Sequence, residues 1–465
     1  MNLGFETIGN ATVIGYDKQP VVVTDPWLGG AAYFGSWSLP HEVPAEQMEA
    51  IKQCEYVWLS HGHPDHTHGE SLNLLRDKKI LIPDHYHGRM LHGLQAAGFT
   101  VHVLPDRRWQ QLSPNIRVLC VADYNQDAIL LLDIGGVLFI NLNDASDCGW
   151  GSLVKKTAAQ YKLSFLAALS APGAADMMNF FTEDGRIILP EEPSNMQPGK
   201  NIALRTEQYG ARYYVLFSSM HRYQRRDSIW ANPYMASVTD YTRGFHSQTA
   251  ELLAPYIQYD CHTGQLSELK PAEVPLNVVE PEAYGDNWAD VLDRADMEKI
   301  RNYFQSIQHL KEVFSHITMR VGGQDTVVDL GGTAKRKALM FEVPRQSLME
   351  AIEGQVFDDL LIGNFMKTTC VGDWGRANKS LYPDFSPYVA KYADNGGART
   401  MEELQTYFAE YRRRDPFGFV KHRFETQAAH FMEDVVASRL RALISPDSPM
   451  YDMAKHVYRL FLYVR

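Results

Sequence analysis

His61-Gly62-His63-Pro64-Asp65-His66 is the stretch that decides how this chain is interpreted. It directly follows the mostly apolar run 55–60, which predicts a buried strand that ends where the loop begins. Gly62 relieves the steric limits on a tight turn, and Pro64 stiffens that turn. Because four potential ligands fall within six residues, the stretch predicts a metal site. The alternative is a polar turn that is rich in histidine by chance.

The bulk composition limits the classes of function. At 465 residues the chain is too long for one ordinary core, so about two or three domains are expected. A formal net charge of −11 argues against nucleic acid as a general partner, because phosphate binding needs a basic surface. Nowhere do 18 apolar residues follow one another, so no membrane span is expected.

Cysteine usage and the N-terminal sequence predict a cytoplasmic protein. The five cysteines form no Cys-x-x-Cys pair, which excludes a zinc-finger or iron–sulfur pattern. Their odd number indicates reduced thiols. The first residues lack a basic region followed by a long apolar stretch, so no secretory signal is expected.

The order of the predicted elements favours an α/β fold. Strands and helices alternate from a β-hairpin at 11–24 to residue 104, and short apolar strands then follow one another between 117 and 141. This order predicts two sheets packed face to face with helices outside, an αββα sandwich. Later apolar runs at 163–169 and 212–217 supply further strands of the same core.

A change of composition near 265–292 indicates a domain boundary. Prolines and acidic residues dominate this segment, whereas an amphipathic helical pattern begins at Asp296. We therefore expect a dinuclear metal domain at 1–265, a linker at 266–292 and a C-terminal α+β and helical domain at 293–465. The C-terminal domain is expected to cover the active site.

The loop at 61–66, preceded by Asp25-Pro26-Trp27-Leu28, resembles the metallo-β-lactamase superfamily. In that superfamily an HxHxDH loop binds two metals between the halves of the sandwich. The flanking sequence is similar to the metallo-β-lactamase part of the CMP-N-acetylneuraminate hydroxylases. This similarity is carried by Trp27, Leu28, Gly35, Trp37, Leu39, His41, Glu42, Pro44, Ser60, the segment Phe139–Asp144 and, far downstream, Leu361–Gly363.

The resemblance implies a set of metal ligands around the loop. Most of them lie in the loop itself, and the others follow later strands. The implied ligands are His61 and His63 for the first metal, Asp65 and His66 for the second, Asp144 as the bridge between them, and His221 at a late strand end.

One position departs from the superfamily pattern. Where a further histidine is expected, the segment 121–127 contains Asp123, with Asp127 as a rival ligand. A carboxylate here favours harder ions such as iron or manganese over zinc. We therefore expect two metal ions, iron in preference to zinc or manganese, with O₂ as co-substrate of an oxygenase. The alternative is that Asp123 is a turn residue and the first metal is weakly held or absent.

Two functions remain open, because one scaffold supports both. The favoured function is a diiron oxygenase that hydroxylates or N-oxygenates a small polar metabolite, with anionic metabolites among the candidates and with Asp144 as the bridging group. The hydroxylases carry a Rieske signature that this sequence lacks, so electrons are expected from a separate donor protein, a small reductant or the substrate. The alternative is a zinc- or other metal-dependent hydrolase of an ester, amide or phosphodiester, in which Asp65 orients a metal-bound hydroxide.

Residues near the predicted cleft are candidates for substrate contact. Trp37 and His41 lie on a loop that is expected to cross the mouth, although Trp37 also suits a packing role. Arg222, Arg225 and Arg226 lie within five residues after His221, and arginine binds phosphate or carboxylate through two hydrogen bonds. A solvated run of charges is the alternative for these arginines.

Overall fold

The computed structural model describes residues 1–169, 177–218, 220–332, 337–372, 374, 381, 384–390 and 396–431. The end of the predicted C-terminal domain, 432–465, lies outside the described residues. Within these ranges, no helix combines the length and the apolar character needed to cross a membrane. The α-helices are Ala45–Gln53, Gly69–Asn73, Arg89–Ala96, Gly151–Ala158, Pro198–Tyr209, Val238–Thr242, Arg294–Ser306, Leu310–Val313, Arg345–Gly354, Phe357–Ile362, Ser386–Val389, Met401–Arg414 and Pro416–Phe431.

The first large sheet has eight strands and contains the N-terminal hairpin. The sequence pattern did not indicate its strand Leu3–Ile8, because the alternation of Leu3 and Phe5 breaks at Thr7 and Ile8. In spatial order the strands are Leu266–Glu268, Ile257–Asp260, Leu3–Ile8, Thr12–Asp17, Gln19–Thr24, Tyr56–Trp58, Lys79–Pro83 and Thr100–Leu104.

The second large sheet has seven strands and includes the consecutive apolar strands that the sequence predicted. In spatial order they are Glu251–Leu253, Tyr213–Phe217, Ser164–Leu169, Val137–Asn143, Ala128–Ile134, Ile116–Ala122 and Trp109–Ser113.

Both faces of these strands are buried, and this places the two large sheets against each other. In Ile116–Ala122, Val118 belongs to the core between the sheets, and the next residue, Leu119, belongs to the core under the helices. Across the inner core the rings of Phe5 and Phe139 lie 4.8 Å apart, one from each sheet. The predicted αββα sandwich is confirmed.

A third sheet of six strands forms the centre of the C-terminal part. Two of its strands come from inside the segment predicted as the first domain, so the chain before 265 contributes to both units. In spatial order its strands are Ile187–Ile188, Phe180–Phe181, Lys367–Gly372, Lys337–Glu342, His316–Val321 and Gln324–Asp329. A small separate sheet contains Arg222–Tyr223, Trp37–Ser38 and Ala31–Ala32.

The carboxyl ends of several strands bring polar side chains to one edge of the sandwich. Gln19–Thr24 runs parallel to Tyr56–Trp58 in the first sheet, and Val137–Asn143 runs parallel to its neighbour in the second. Asp25 and Asp144 directly follow two of these strands. Ligand sites in open α/β sheets lie at the carboxyl ends of strands, so a functional site is expected at this edge.

Candidate metal centre

Two sets of ligand atoms converge at this edge, and within each set the atoms lie within 4.8 Å of one another. The first set is His61, His63 and Asp144, and the second is Asp65, His66 and Asp144. Asp144 belongs to both, with its Oδ2 atom 3.9 Å from His61 Nε2 and 3.4 Å from His66 Nε2. The structure therefore brings together five of the predicted ligands, with Asp144 between the two sets.

Unsatisfied buried atoms show that a cation fits here. Asp144 Oδ1 is buried without a hydrogen-bond partner. His66 Nε2 faces Asp65 Oδ2 at 3.2 Å and Asp144 Oδ2, yet it makes a hydrogen bond to neither. Buried polar groups normally have partners, and a metal ion would supply one for both atoms.

Asp25 orients His66 from behind. Asp25 is fully buried, and its Oδ2 atom lies 3.0 Å from His66 Nδ1, while Oδ1 accepts a hydrogen bond of 2.7 Å from the Ser60 amide. Burial opposes protonation of His66, but Asp65, Asp144 and Asp25 outweigh it and raise the pKa of this imidazole. A carboxylate on the outer nitrogen of a metal-binding histidine fixes its tautomer and orientation.

Asp25→Asn is expected to weaken the affinity for the second metal by about 10- to 100-fold, because the amide no longer fixes the His66 tautomer. Competition with a chromophoric chelator measures this change on the metal-free protein. Wild-type affinity at both sites would contradict the orienting role of Asp25.

Asp65 is fixed through both of its carboxylate oxygens. Tyr33 donates its hydroxyl proton to Oδ1 at 2.6 Å, and Asn10 Nδ2 donates to Oδ2 at 2.7 Å. Asn10 also accepts a hydrogen bond from the Met220 amide, which ties Asp65 to the loop that carries His221. Sequence reasoning missed the roles of Asn10 and Tyr33 because their relation to Asp65 exists only in the folded chain.

His61 and His63 lie close together but differ in their surroundings. His61 Nε2 is 2.8 Å from His63 Nδ1. Burial and the neighbouring His66 lower the pKa of His61, which keeps it in the neutral form that a metal requires. Burial also opposes protonation of His63, but Asp358 and Asp359 outweigh it and raise its pKa to about 10.

Two acidic residues from the C-terminal part reach this site. Asp358 and Asp359 belong to the helix Phe357–Ile362, and together with His63 they form a third set of potential ligands. Asp358 Oδ2 lies 3.2 Å from His63 Nε2. The sequence analysis did not select either residue, and the only signal was their position just before Leu361–Gly363.

The structure does not place Asp123 in any of the three sets of potential ligands found among the described residues. Its Oδ1 atom accepts hydrogen bonds from the amides of Asn125 and Asp127, at 2.8 and 3.3 Å. Burial and the Asp127 carboxylate raise the pKa of Asp123 well above its ordinary value. Asp123 here stabilises its own turn, and its ligation of the first metal stays a prediction.

His221 is also outside these three sets. Its ring stacks on Trp37, with centroids 3.3 Å apart and planes 5° from parallel. Trp37 is itself buried, so it supports His221 from the small three-stranded sheet and does not line an open mouth. Ligation by His221 and substrate contact by Trp37 stay predictions.

His41 and Arg222 line a separate cleft of about 520 Å³ whose walls contain none of the candidate ligands. Arg222 donates hydrogen bonds to the carbonyl oxygens of Val274 and Pro275. The Arg222 guanidinium is thus already bound to backbone carbonyl groups. This cleft is not lined by the candidate metal ligands, and substrate contact by His41 and Arg222 stays a prediction.

Arg225 is fully buried and connects three segments of the chain that are distant in sequence. Its guanidinium forms ion pairs with Asp286 at 2.7 Å and Asp227 at 2.9 Å, and donates to the Phe34 carbonyl at 2.9 Å. Charge alone does not show burial, so the sequence did not indicate these ion pairs. In the structure Arg225 is a buried ion-pair residue, and its contact with substrate stays a prediction.

Comparison with known proteins gives the class to which this chain is similar. No family model matches it. The inactive CMP-N-acetylneuraminic acid hydroxylase of Homo sapiens is 28% identical over 151 residues, which cover 30% of this chain and 30% of the relative. The hydroxylase of Sus scrofa is 27% identical, covering 30% of this chain and 34% of the relative. The matched region thus spans about a third of these relatives.

Two solved structures are similar to this chain at low identity and low TM-score. Igni18, a metallo hydrolase of Ignicoccus hospitalis, is 12% identical with a TM-score of 0.34, covering 58% of this chain and 98% of its own. CmlA, a diiron β-hydroxylase of Streptomyces venezuelae, is 13% identical with a TM-score of 0.34, covering 58% and 54%. The predicted resemblance is confirmed by sequence: over 151 residues the chain is similar to the CMP-N-acetylneuraminic acid hydroxylases. The αββα sandwich described above is the fold that this resemblance implied.

Proposed function

We propose that this protein is a dinuclear iron oxygenase that hydroxylates or N-oxygenates a small polar metabolite. The observation that carries the proposal is the composition of the first ligand set: His61, His63 and Asp144 are two histidines and one carboxylate. Two histidines and one carboxylate, with open positions for O₂ and substrate, are typical of non-haem Fe(II) oxygenases.

The second ligand set supports the same choice of metal. It contains one imidazole, from His66, and two carboxylates, from Asp65 and Asp144. Carboxylate ligands favour harder ions, so iron or manganese suits this set better than zinc. The sequence similarity to hydroxylases over 151 residues agrees with an oxygenase.

Bound iron would supply O₂ binding and activation, and the residues of this chain would control the site around it. Asp144 would bridge the two ions. Tyr33 and Asn10 hold Asp65 in a fixed orientation, and Asp25 does the same for His66. His61, Asp65 and His66 are each at most 3% exposed, so bulk water is excluded from the inner side of the ligands. Electrons would come from a separate donor protein, a small reductant or the substrate.

A metal-dependent hydrolase is the competing function. Zinc or another metal ion held by the same residues would lower the pKa of its bound water to about 7, and Asp65 would orient the nucleophile toward an ester, amide or phosphodiester. This function predicts no requirement for O₂.

Oxygen uptake separates the two functions. Metal-free protein is loaded anaerobically with Fe(II) or with Zn(II), and O₂ consumption is followed with ascorbate as the reductant. We expect catalytic O₂ uptake only with iron, at a rate well above that of free Fe(II) with ascorbate. His61→Ala protein loaded in the same way is the control and is expected to give only the rate of free iron. No iron-dependent uptake, together with hydrolysis of a generic ester by the zinc form, would contradict the oxygenase.

A further inference from the structure

The C-terminal part contacts the metal centre at His63. Asp358 Oδ2 lies 3.2 Å from His63 Nε2, although 295 positions separate the two residues. The other imidazole nitrogen, Nδ1, faces His61 Nε2 at 2.8 Å, on the side of the first ligand set. The ring of His63 therefore stands between a carboxylate and the place where the first metal would bind.

We propose that Asp358 is a positioning residue that fixes the tautomer of His63, so that the C-terminal part completes the first metal site. The inference rests on the proposed dinuclear centre. A histidine that binds metal through Nδ1 must carry its proton on Nε2, and that N–H needs an acceptor. Asp358 is the acceptor that the structure provides.

The position of Asp358 is fixed by contacts at the end of its helix. Directly after Phe357–Ile362, the Gly363 carbonyl accepts a hydrogen bond of 2.6 Å from Ser36 Oγ. Asn364 is fully buried and donates to the Tyr223 hydroxyl at 2.8 Å, while its carbonyl accepts from Trp230 Nε1 at 3.1 Å. These bonds hold the end of the helix against the small three-stranded sheet and the segments beside it, so the contact with His63 does not depend on an exposed, freely rotating side chain.

Asp358 is buried, and its charge is compensated by His63. Asp358 is only 6% exposed, and its Oδ1 atom has no hydrogen-bond partner. An acidic group that is buried in this way is costly unless another group compensates its charge. His63 provides that compensation through Oδ2, which explains why an aspartate stands at this place in the helix.

The arrangement repeats the one seen at the other ligand set. Asp25 lies 3.0 Å from the outer nitrogen of His66, and Asp358 lies 3.2 Å from the outer nitrogen of His63. Asp25 comes from the sandwich itself, whereas Asp358 comes from the C-terminal part. Each predicted metal would thus have one histidine oriented by a buried carboxylate, and the first would depend on the docking of a second unit.

Cobalt binding to the full chain tests this proposal without measuring activity. Metal-free wild type, Asp358→Asn, Asp359→Asn and Glu350→Gln are titrated with Co(II), and affinities are obtained by chelator competition. The amide of Asp358→Asn can donate to Nε2 and move the imidazole proton to Nδ1, the metal-binding atom. In Asp358→Asn we expect one of the two cobalt ions to bind about 10- to 100-fold more weakly than in the wild type. The visible absorption of that ion is expected to change, and the absorption of the other ion is expected to stay the same.

One control variant and one discriminating variant make the result specific. Glu350 is exposed on the preceding helix, so Glu350→Gln is the control and is expected to bind cobalt as wild type does. Asp359 is itself a potential ligand beside His63, so Asp359→Asn is the discriminating variant, and it is expected to keep both ions if Asp358 acts through His63. Equal loss in Asp358→Asn and Asp359→Asn would overturn the proposal, because it would mean that the carboxylates hold the ion themselves. Wild-type affinity and absorption in Asp358→Asn would overturn it as well.

A measurement on the wild type does not depend on the folding of any variant. In zinc-loaded protein with ¹⁵N-labelled histidine, NMR is expected to show His63 protonated at Nε2, and an unprotonated Nε2 would overturn the proposal. A wild type that does not bind two Co(II) ions would overturn both this inference and the proposed function. Two ions in the wild type, with no effect of Asp358→Asn, would overturn this inference alone.

Discussion

Asp144→Ala is expected to abolish tight binding of both metal ions, because Asp144 is the only residue shared by the two central ligand sets among the described residues. Removing a ligand common to both sites should cost more than the 10- to 100-fold typical of an outer carboxylate, so we expect a loss of at least about a hundredfold at each site. Metal content after gel filtration and chelator competition measure the loss.

The control for this variant is Asp77→Ala, whose carboxylate is 74% exposed and pairs with Lys78. It is expected to bind two metals as wild type does. Circular dichroism should show that the metal-free Asp144→Ala protein is folded, although it loses the contact of Asp144 Oδ2 with His66 Nε2 at 3.4 Å. Retention of one ion at wild-type affinity in Asp144→Ala would show that the carboxylate does not bridge the sites.

Arg225→Met is expected to lower the free energy of unfolding by about 3–5 kcal/mol, because it leaves the carboxylate of Asp286 buried without its cation. Both side chains of this ion pair are completely buried, and their closest atoms are 2.7 Å apart. Chemical denaturation followed by circular dichroism measures the change.

The neighbouring residue supplies a matched control. Arg226 pairs with Glu280 at 2.8 Å, but both side chains are more than half exposed. Exposed pairs contribute little, so Arg226→Met is expected to change the unfolding free energy by less than about 1 kcal/mol. If both variants were equally stable and only Arg225→Met impaired substrate binding, Arg225 would have the substrate role that the sequence suggested.

The fold was predictable because its signals are local. Apolar strands that are buried on both faces, such as Ile116–Ala122, read as short hydrophobic runs between turns. The HxHxDH loop lies directly after one of these strands, which fixes its place at a strand end. The strand Leu3–Ile8 was missed because its apolar residues do not alternate regularly.

The site was predictable only where its residues are close in the sequence or follow a strand. His61 to His66 and Asp144 meet that condition, and the structure gathers them. Asp358 does not, because its approach to His63 depends on how the C-terminal part packs on the sandwich.

At two positions the structure shows contacts that the sequence did not indicate, while the predicted roles stay predictions. Asp123 and Arg225 carry suitable chemistry at suitable positions in the sequence. In the structure Asp123 accepts hydrogen bonds from its own turn, and Arg225 is buried in ion pairs. Residue type and spacing do not show which hydrogen bonds and ion pairs a charged side chain makes in the folded chain.

The identity and coupling of the bound metals test the central claim most directly. Protein purified from cells grown with both ⁵⁷Fe and zinc is separated from free metal, oxidised, and studied by metal analysis and Mössbauer spectroscopy. The proposed centre predicts two irons per chain as an antiferromagnetically coupled pair with no electron paramagnetic resonance signal. Two zinc ions per chain, or a single uncoupled iron, would contradict it.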